Sequence, residues 1–304
     1  MTSPLRICLK VDCDTALGTR DGIPRLLALF GRRKIRATFF FSLGPDRSGR
    51  AALRVFTRKG FLKKMLRSRA PSLYPIRTML SGTLLPAPAI GRACREAIRS
   101  VAAAGHETGV HAWDHVGWHD GLPGWTPERV ADEYRRLHAE YREIFGTAAH
   151  ASACPGWTVS DAYLAEREKY PLVYTSDTRE GEPFLPRIGE KISAIPEIPS
   201  TLPTLDEKLG DPACPDADAL RRWFADAPRR DAVHTIHTEV EGGPYLDWFG
   251  RLLDDWKDRD AEFTAMETFG IEARDRQAEL PVRKIVPIML PGRAGTVASG
   301  RPQG

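Results

Sequence analysis

The chain has 304 residues, of which 42% are hydrophobic and 28% charged, with a net charge of +4 at neutral pH. These values are ordinary for a soluble globular protein and fit the size range of a single α/β barrel. No stretch approaches the run of about 18 apolar residues that a membrane-crossing helix needs. Met1 to Arg6 lacks the pattern of a signal peptide, so the expectation is a cytoplasmic protein. The cysteines (Cys8, Cys13, Cys94, Cys154, Cys214) are odd in number and never spaced C-x-x-C, which argues against a disulfide framework and a cysteine zinc site.

In chain order, short β-prone runs alternate with segments of helical period. Ile7 to Val11 reads as a strand, Ile23 to Phe30 as a helix, Ala37 to Phe41 as a strand, Ile90 to Ala104 as a helix, and His106 to His111 as a strand. A helix is expected over Pro127 to Phe145, with Thr126 as its N-cap and Pro127 at the first position. Leu172 to Ser176 and Ala232 to His237 follow as strands, and Ala217 to Ala225 and Pro244 to Trp256 as helices. This alternation predicts a parallel sheet covered by helices, open or closed as a barrel. From about Pro281 the chain is rich in Gly, Pro and Arg, and a disordered tail is expected there.

Residues 47 to 95 hold twelve Lys or Arg and no Asp or Glu, leaving 32 basic against 40 acidic residues elsewhere. Leu53, Val55, Phe56, Phe61, Leu62, Met65 and Leu66 interleave with Arg58, Lys59, Lys63, Lys64 and Arg67. That is the composition of a basic amphipathic helix on an anionic membrane, and equally of a solvated helix face. A nucleic-acid footprint is disfavoured, because no nucleic-acid module accompanies it.

Several polar groups carry possible chemistry. "LKVDCDT" sets Asp12 and Asp14 on one face of a strand end with Cys13 on the other, a pattern that serves an active site or simply starts a turn. In "GVHAWDH", His111 and His115 share a face if the segment is helical. Such a pair suits a metal, and with one Asp it makes a three-ligand site with open positions; it also suits a packed helix. His119 continues the stripe but lies outside the expected ligands. In "AVHTIHTEVEGG", His237 and Glu239 share a face and His234 takes the other, so His237 is either a proton donor or a core histidine.

Taken together, the Asp pair, "GHETGVHAWDH", "ACPGW" and "HTIH", in that order, resemble the polysaccharide deacetylase superfamily, also called NodB-homology or carbohydrate esterase family 4. Longer stretches ("VDCDTALGTRDGIPRLL", "ATFFFSLGPDRSGRA", "FLKKMLRSRAPSLY", "HETGVHAWDHVGW", "YTSDTREGEPFLP", "HTIHTEVEGG") extend the resemblance to that family's deformylases, whose substrate is a formamido-arabinose carried on undecaprenyl phosphate. The resemblance implies an α/β fold, a distorted (β/α) barrel over residues 1 to 280. It includes a membrane-associating insertion at 47 to 95, with 281 to 304 as the tail.

The activity it implies is metal-dependent hydrolysis of the formamide to the 4-amino sugar lipid and formate, at the cytoplasmic face of the inner membrane. This would serve lipid A modification and resistance to polymyxin and other cationic peptides. An N-deacetylase of another amino sugar is the alternative. By the same resemblance Asp14, His111 and His115 bind a divalent cation, Asp12 is the general base and His237 the general acid. Zinc is favoured by ligand type, with manganese, cobalt or nickel also compatible. Gly156 or Trp157 supplies an oxyanion N–H, since Pro155 has none.

This sequence departs from the family pattern at two points: Cys13 separates the two Asp residues, and Ser152, Ala153 and Cys154 stand where many members carry an Arg that holds the base. Arg179 is the expected substitute, with Asp177 orienting His237. The implied partners are the lipid-linked sugar and an anionic membrane surface, not nucleic acid; no oligomeric state is implied.

Overall fold

A computed structural model describes residues 4–52, 81–83 and 85–301. Arg58, Lys59, Lys63, Lys64 and Arg67, expected to meet the membrane, lie outside the described residues.

Strand β1 (Arg6–Cys13) is the centre of a parallel sheet. On one side it pairs with β8 (Asp231–His237), from Arg6 opposite Asp231 to Asp12 opposite His237. Its other edge meets β9 (Glu262–Thr264) at Arg6 to Cys8 and β2 (Thr38–Ser42) from Lys10 onward. The sheet continues through β3 (Glu107–Ala112), β4 (Ala151–Ser152) and β5 (Tyr174–Thr175). An extended segment spans the gap from β5 back to β8: Ile198 N–H donates to Thr175 O at 2.8 Å, and Thr201 and Leu202 N–H both donate to Val233 O at 3.1 Å. These bonds turn the parallel sheet into a distorted barrel.

Alternation along β1 separates two interiors. Ile7, Leu9, Val11 and Cys13 enter the layer between sheet and helices, whereas Cys8 joins Phe40, Ala151, Tyr174 and Val233 inside the barrel. The outer layer includes α1 (Ile23–Arg33), which buries Ile23, Leu26, Leu29 and Phe30 on one face. α2 (Arg95–Ala103) precedes β3, α3 (His115–Gly121) follows it, and α4 (Pro127–Phe145) covers the sheet with Val130, Tyr134, Leu137, Tyr141 and Ile144. Each such apolar side chain fully withdrawn from water contributes roughly 1.5–3 kcal/mol. The sequence expectation for α4 holds at both ends: Thr126 accepts from Arg129 N–H, and Gly146, at φ 76°, closes the helix on Arg142 O at 2.8 Å.

A second sheet combines β6 (Leu185–Ile188), β7 (Lys191–Ile192), β10 (Val282–Met289) and β11 (Thr296–Arg301) in the order β11-β10-β6-β7. It corrects the expected disordered tail. β10 pairs parallel with β6, β11 folds back antiparallel on β10, and Ile288 and Val297 pack on Trp157. Pro291, Gly292 and Gly295 lie in the turn between β10 and β11.

Candidate active site

Three strand ends converge on one cluster. Asp12 lies near the end of β1, and Asp14 follows just beyond it. His111 is the penultimate residue of β3, and His237 ends β8 opposite Asp12. The carboxyl ends of parallel strands are where α/β folds gather their active sites. His115 completes the group from the first position of α3, whose N-cap Asp114 accepts from Gly117 N–H at 2.9 Å. The expectation that His111 and His115 share a helix face is therefore corrected. A strand, a turn and a helix start bring them together, with their rings stacked at 5.5 Å.

Asp14 is the hub. Its Oδ1 is 3.3 Å from His111 Nε2, its Oδ2 is 3.2 Å from His115 Nε2, and the same oxygen is 4.0 Å from His237 Nε2. Asp14, His111 and His115 each turn a potential ligand atom to within 4.8 Å of the others. Burial alone would raise the Asp14 carboxyl, but the imidazoles of His115, His111 and His237 hold it well below the usual carboxylate range. Burial pushes His111 down, so its ring favours the neutral form that ligates a cation. Its Nδ1 lies 2.6 Å from Ala153 O, which places the proton there and leaves the Nε2 lone pair facing Asp14. Asp14 Oδ1 is buried with no hydrogen-bond partner among the described residues. An orphaned carboxylate oxygen beside two imidazoles is the donor set that a divalent cation satisfies, so these residues fit the implied metal.

Asp12 lies beside this group, with Oδ2 4.0 Å from His111 Nε2 and 3.9 Å from Lys10 Nζ, while its Oδ1 is also buried without a partner. Burial opposes charging of His237, yet Asp14, Glu239, Asp12 and Glu241 together raise it to about 9. Glu241 also accepts from the His237 backbone N–H at 2.8 Å. Glu239 is itself pushed up to about 7 by burial and by Asp14. Strand alternation had placed Glu239 on the His237 face. His234 points the other way, into the helix layer against Phe224 and Trp256.

The "ACPGW" stretch forms a tight turn after β4. Gly156 has φ 58°, and an added Cβ there would lie 2.5 Å from His119 Cδ2, so glycine is required on both counts. Trp157 holds the left-handed region at φ 52° without that freedom. The guanidinium groups of Arg179 and Arg293 lie 4.4 and 4.8 Å from the centre of its indole, and Nε1 donates to Ser200 Oγ at 3.2 Å.

Two expected supports act elsewhere. Arg179 is paired with Glu207 at 2.8 and 3.1 Å instead of with Asp12. Asp177 accepts from Cys154 N–H and Tyr163 OH, both at 2.8 Å, and from Arg167, so it braces the Gly156 turn instead of His237. Arg167, Asp177 and Glu197 are fully buried together, a long-range network that no local spacing in the sequence announces. Lys10 was also missed, although a lysine within the apolar run "ICLKV" is a visible signal.

The chain belongs to the polysaccharide deacetylase family, whose sequence profile matches residues 7–175. It is 37% identical over 295 residues to the "Probable 4-deoxy-4-formamido-L-arabinose-phosphoundecaprenol deformylase ArnD" of Shewanella sediminis, covering 95% of this chain and 93% of that protein. Identity to the protein of the same name from Wigglesworthia glossinidia brevipalpis is 30% over 286 residues, covering 93% and 98%. In fold it is similar to the crystal structure of a polysaccharide deacetylase from Mycobacterium smegmatis, with a TM-score of 0.63 at 16% identity, covering 95% of this chain and 96% of that one.

Proposed function

We propose that this protein hydrolyses the formamide of undecaprenyl-phosphate 4-deoxy-4-formamido-L-arabinose, releasing formate and the 4-amino sugar lipid. The observation that carries the reading is the convergence of Asp12, Asp14, His111, His115 and His237 at the strand ends, in a chain that aligns along nearly its whole length with relatives bearing that name.

Asp14, His111 and His115 would hold the divalent cation, with zinc favoured by the mixed imidazole and carboxylate donors. When bound, such a cation supplies Lewis acidity that polarises an amide carbonyl and makes water more acidic. Asp12 takes the proton of the attacking water as its oxygen bonds to the formyl carbon. Gly156 N–H is the donor for the developing oxyanion, because the Trp157 N–H turns back on Cys154 O at 3.4 Å. His237 gives its proton to the nitrogen as the C–N bond breaks; in the ion-free protein Asp14, Glu239, Asp12 and Glu241 favour its charged form. The product is a primary amine, which carries positive charge at neutral pH and so offsets the phosphate of its own carrier.

No helix among the described residues is long and apolar enough to cross a membrane. A lipid-linked substrate therefore needs another means of contact, and the basic run at 47 to 95 supplies one by lying on the anionic cytoplasmic face of the inner membrane.

The test is to incubate purified protein with the formamido lipid and measure formate, with and without chelator. Metal-dependent formate release is the expected result. Release of acetate from N-acetylated oligosaccharides, with none of formate from the lipid, would instead make it a deacetylase of another amino sugar.

A further inference from the structure

Strand β1 carries a charge that the proposed chemistry leaves without a task. Lys10 is fully buried inside the barrel, two residues before Asp12 and on the same face of the strand. Its Nζ donates to Ser176 O at 3.1 Å and lies 5.2 and 5.7 Å from the ring centres of Trp157 and Phe40. A buried ammonium is costly unless a carboxylate compensates it. Among the described residues, Asp12 is the carboxylate within ion-pair distance, its Oδ2 at 3.9 Å. Asp12 in turn has few anchors, because its Oδ1 has no hydrogen-bond partner and its nearest imidazole nitrogen is 4.0 Å away.

We infer that Lys10 is a positioning residue: its ammonium, sealed in the barrel interior beneath the strand ends, fixes the Asp12 carboxylate beside Asp14, His111 and His115. This is the task expected of Arg179, which Glu207 holds elsewhere. Strand geometry favours the lysine. Its attachment to the same strand as Asp12 leaves a side chain of four methylenes to span two residues of rise.

The kinetic arm of the test rests on the deformylase reading, and the crystallographic arm does not. In the cation-loaded Lys10→Met enzyme, kcat for formate release falls about 10- to 100-fold with KM within about twofold, as for loss of a group that orients another. Lys10→Arg restores most of kcat. Cation affinity, measured by calorimetry, does not fall in Lys10→Met; a fall matching the loss of kcat means that the whole site has collapsed and overturns the inference. Crystal structures of both variants show the Asp12 carboxylate displaced in Lys10→Met and retained in Lys10→Arg. If the wild type releases no formate, the substrate reading fails while the Asp12 position still decides: a carboxylate unmoved in Lys10→Met overturns the inference. Should Lys10→Met not fold, Lys10→Gln serves in the same comparison.

Discussion

The Nδ1 of His111 lies 2.6 Å from the carbonyl oxygen of Ala153. This bond joins a proposed cation ligand on β3 to the turn after β4 that carries Gly156, so one contact sets both the tautomer of the ring and the spacing between the proposed cation ligand and the proposed oxyanion donor. Disturbing either partner would change two parts of the site together.

Removing a ligand tests the metal assignment directly. His115→Ala and Asp14→Asn should each lose tight cation binding, measured by calorimetry, and formate release should fall by at least about 100-fold, since even groups outside the direct ligands cost 10 to 100. Unchanged binding and turnover in both variants would remove these residues from the ligand set.

His237 is tested by its pH behaviour. As an acid it must be protonated, so turnover is lost as pH rises through its pKa, and His237→Gln should abolish that alkaline limb while lowering kcat by about 10²–10⁴. In the ion-free protein its NMR titration is expected near 9, where the surrounding carboxylates place it. Adding zinc should move the midpoint downward, because the cation cancels part of that negative field. A midpoint unaffected by zinc would separate His237 from the cation site.

Glu107, at the start of β3 and remote from the strand ends that bear the site, predicts a stability effect of defined sign. Burial pushes its carboxyl up to about 7 against donors from Thr38, Tyr174 and the Glu267 backbone N–H. Between the unfolded value of about 4.5 and about 7 the folded state binds a proton that the unfolded state lacks. Stability from this group is full below that window and is lost as pH rises through it, by up to about 3 kcal/mol. The wild-type melting temperature should therefore fall from pH 5 to about pH 8 more steeply than that of Glu107→Gln; parallel curves would contradict it.

For the membrane, vesicles containing anionic lipid should retain the protein at low salt and release it at high salt. Changing Arg58, Lys59, Lys63 and Lys64 to Glu should abolish retention, each charge contributing on the order of 1 kcal/mol. Retention of the charge-reversed protein at wild-type level would return this segment to an ordinary solvated surface.

The sequence made some of this legible and concealed the rest for identifiable reasons. Alternation exposed β1 and the shared face of Asp12 and Asp14, and the Thr126 cap with Pro127 fixed the start of α4, because those signals are local. His111 and His115 were found through their spacing, yet the geometry behind it was misread: four positions fit a helix face and a strand-turn-helix corner alike. Arg179 was misassigned because its partner Glu207 is chosen by a fold that brings two loops together, not by any nearby residue. The Gly and Pro residues beyond 281 suggested disorder, although residues 282–289 and 296–301 form strands, one paired with β6 and the two with each other.

That late hairpin has a consequence for how the protein becomes active. Arg293 reaches Glu207 at 2.9 Å and the carbonyl of Gly156 at 3.3 Å, and Gly292 lies so close to the Glu207 backbone that an added Cβ would sit 2.1 Å from its oxygen. The ribosome makes Gly156 long before it makes the strap that steadies it. Competence for turnover would then arrive late in synthesis, and a nascent chain halted before the hairpin would carry every proposed proton-transfer group and the Asp177 brace yet lack the Arg293 contact to the carbonyl of Gly156.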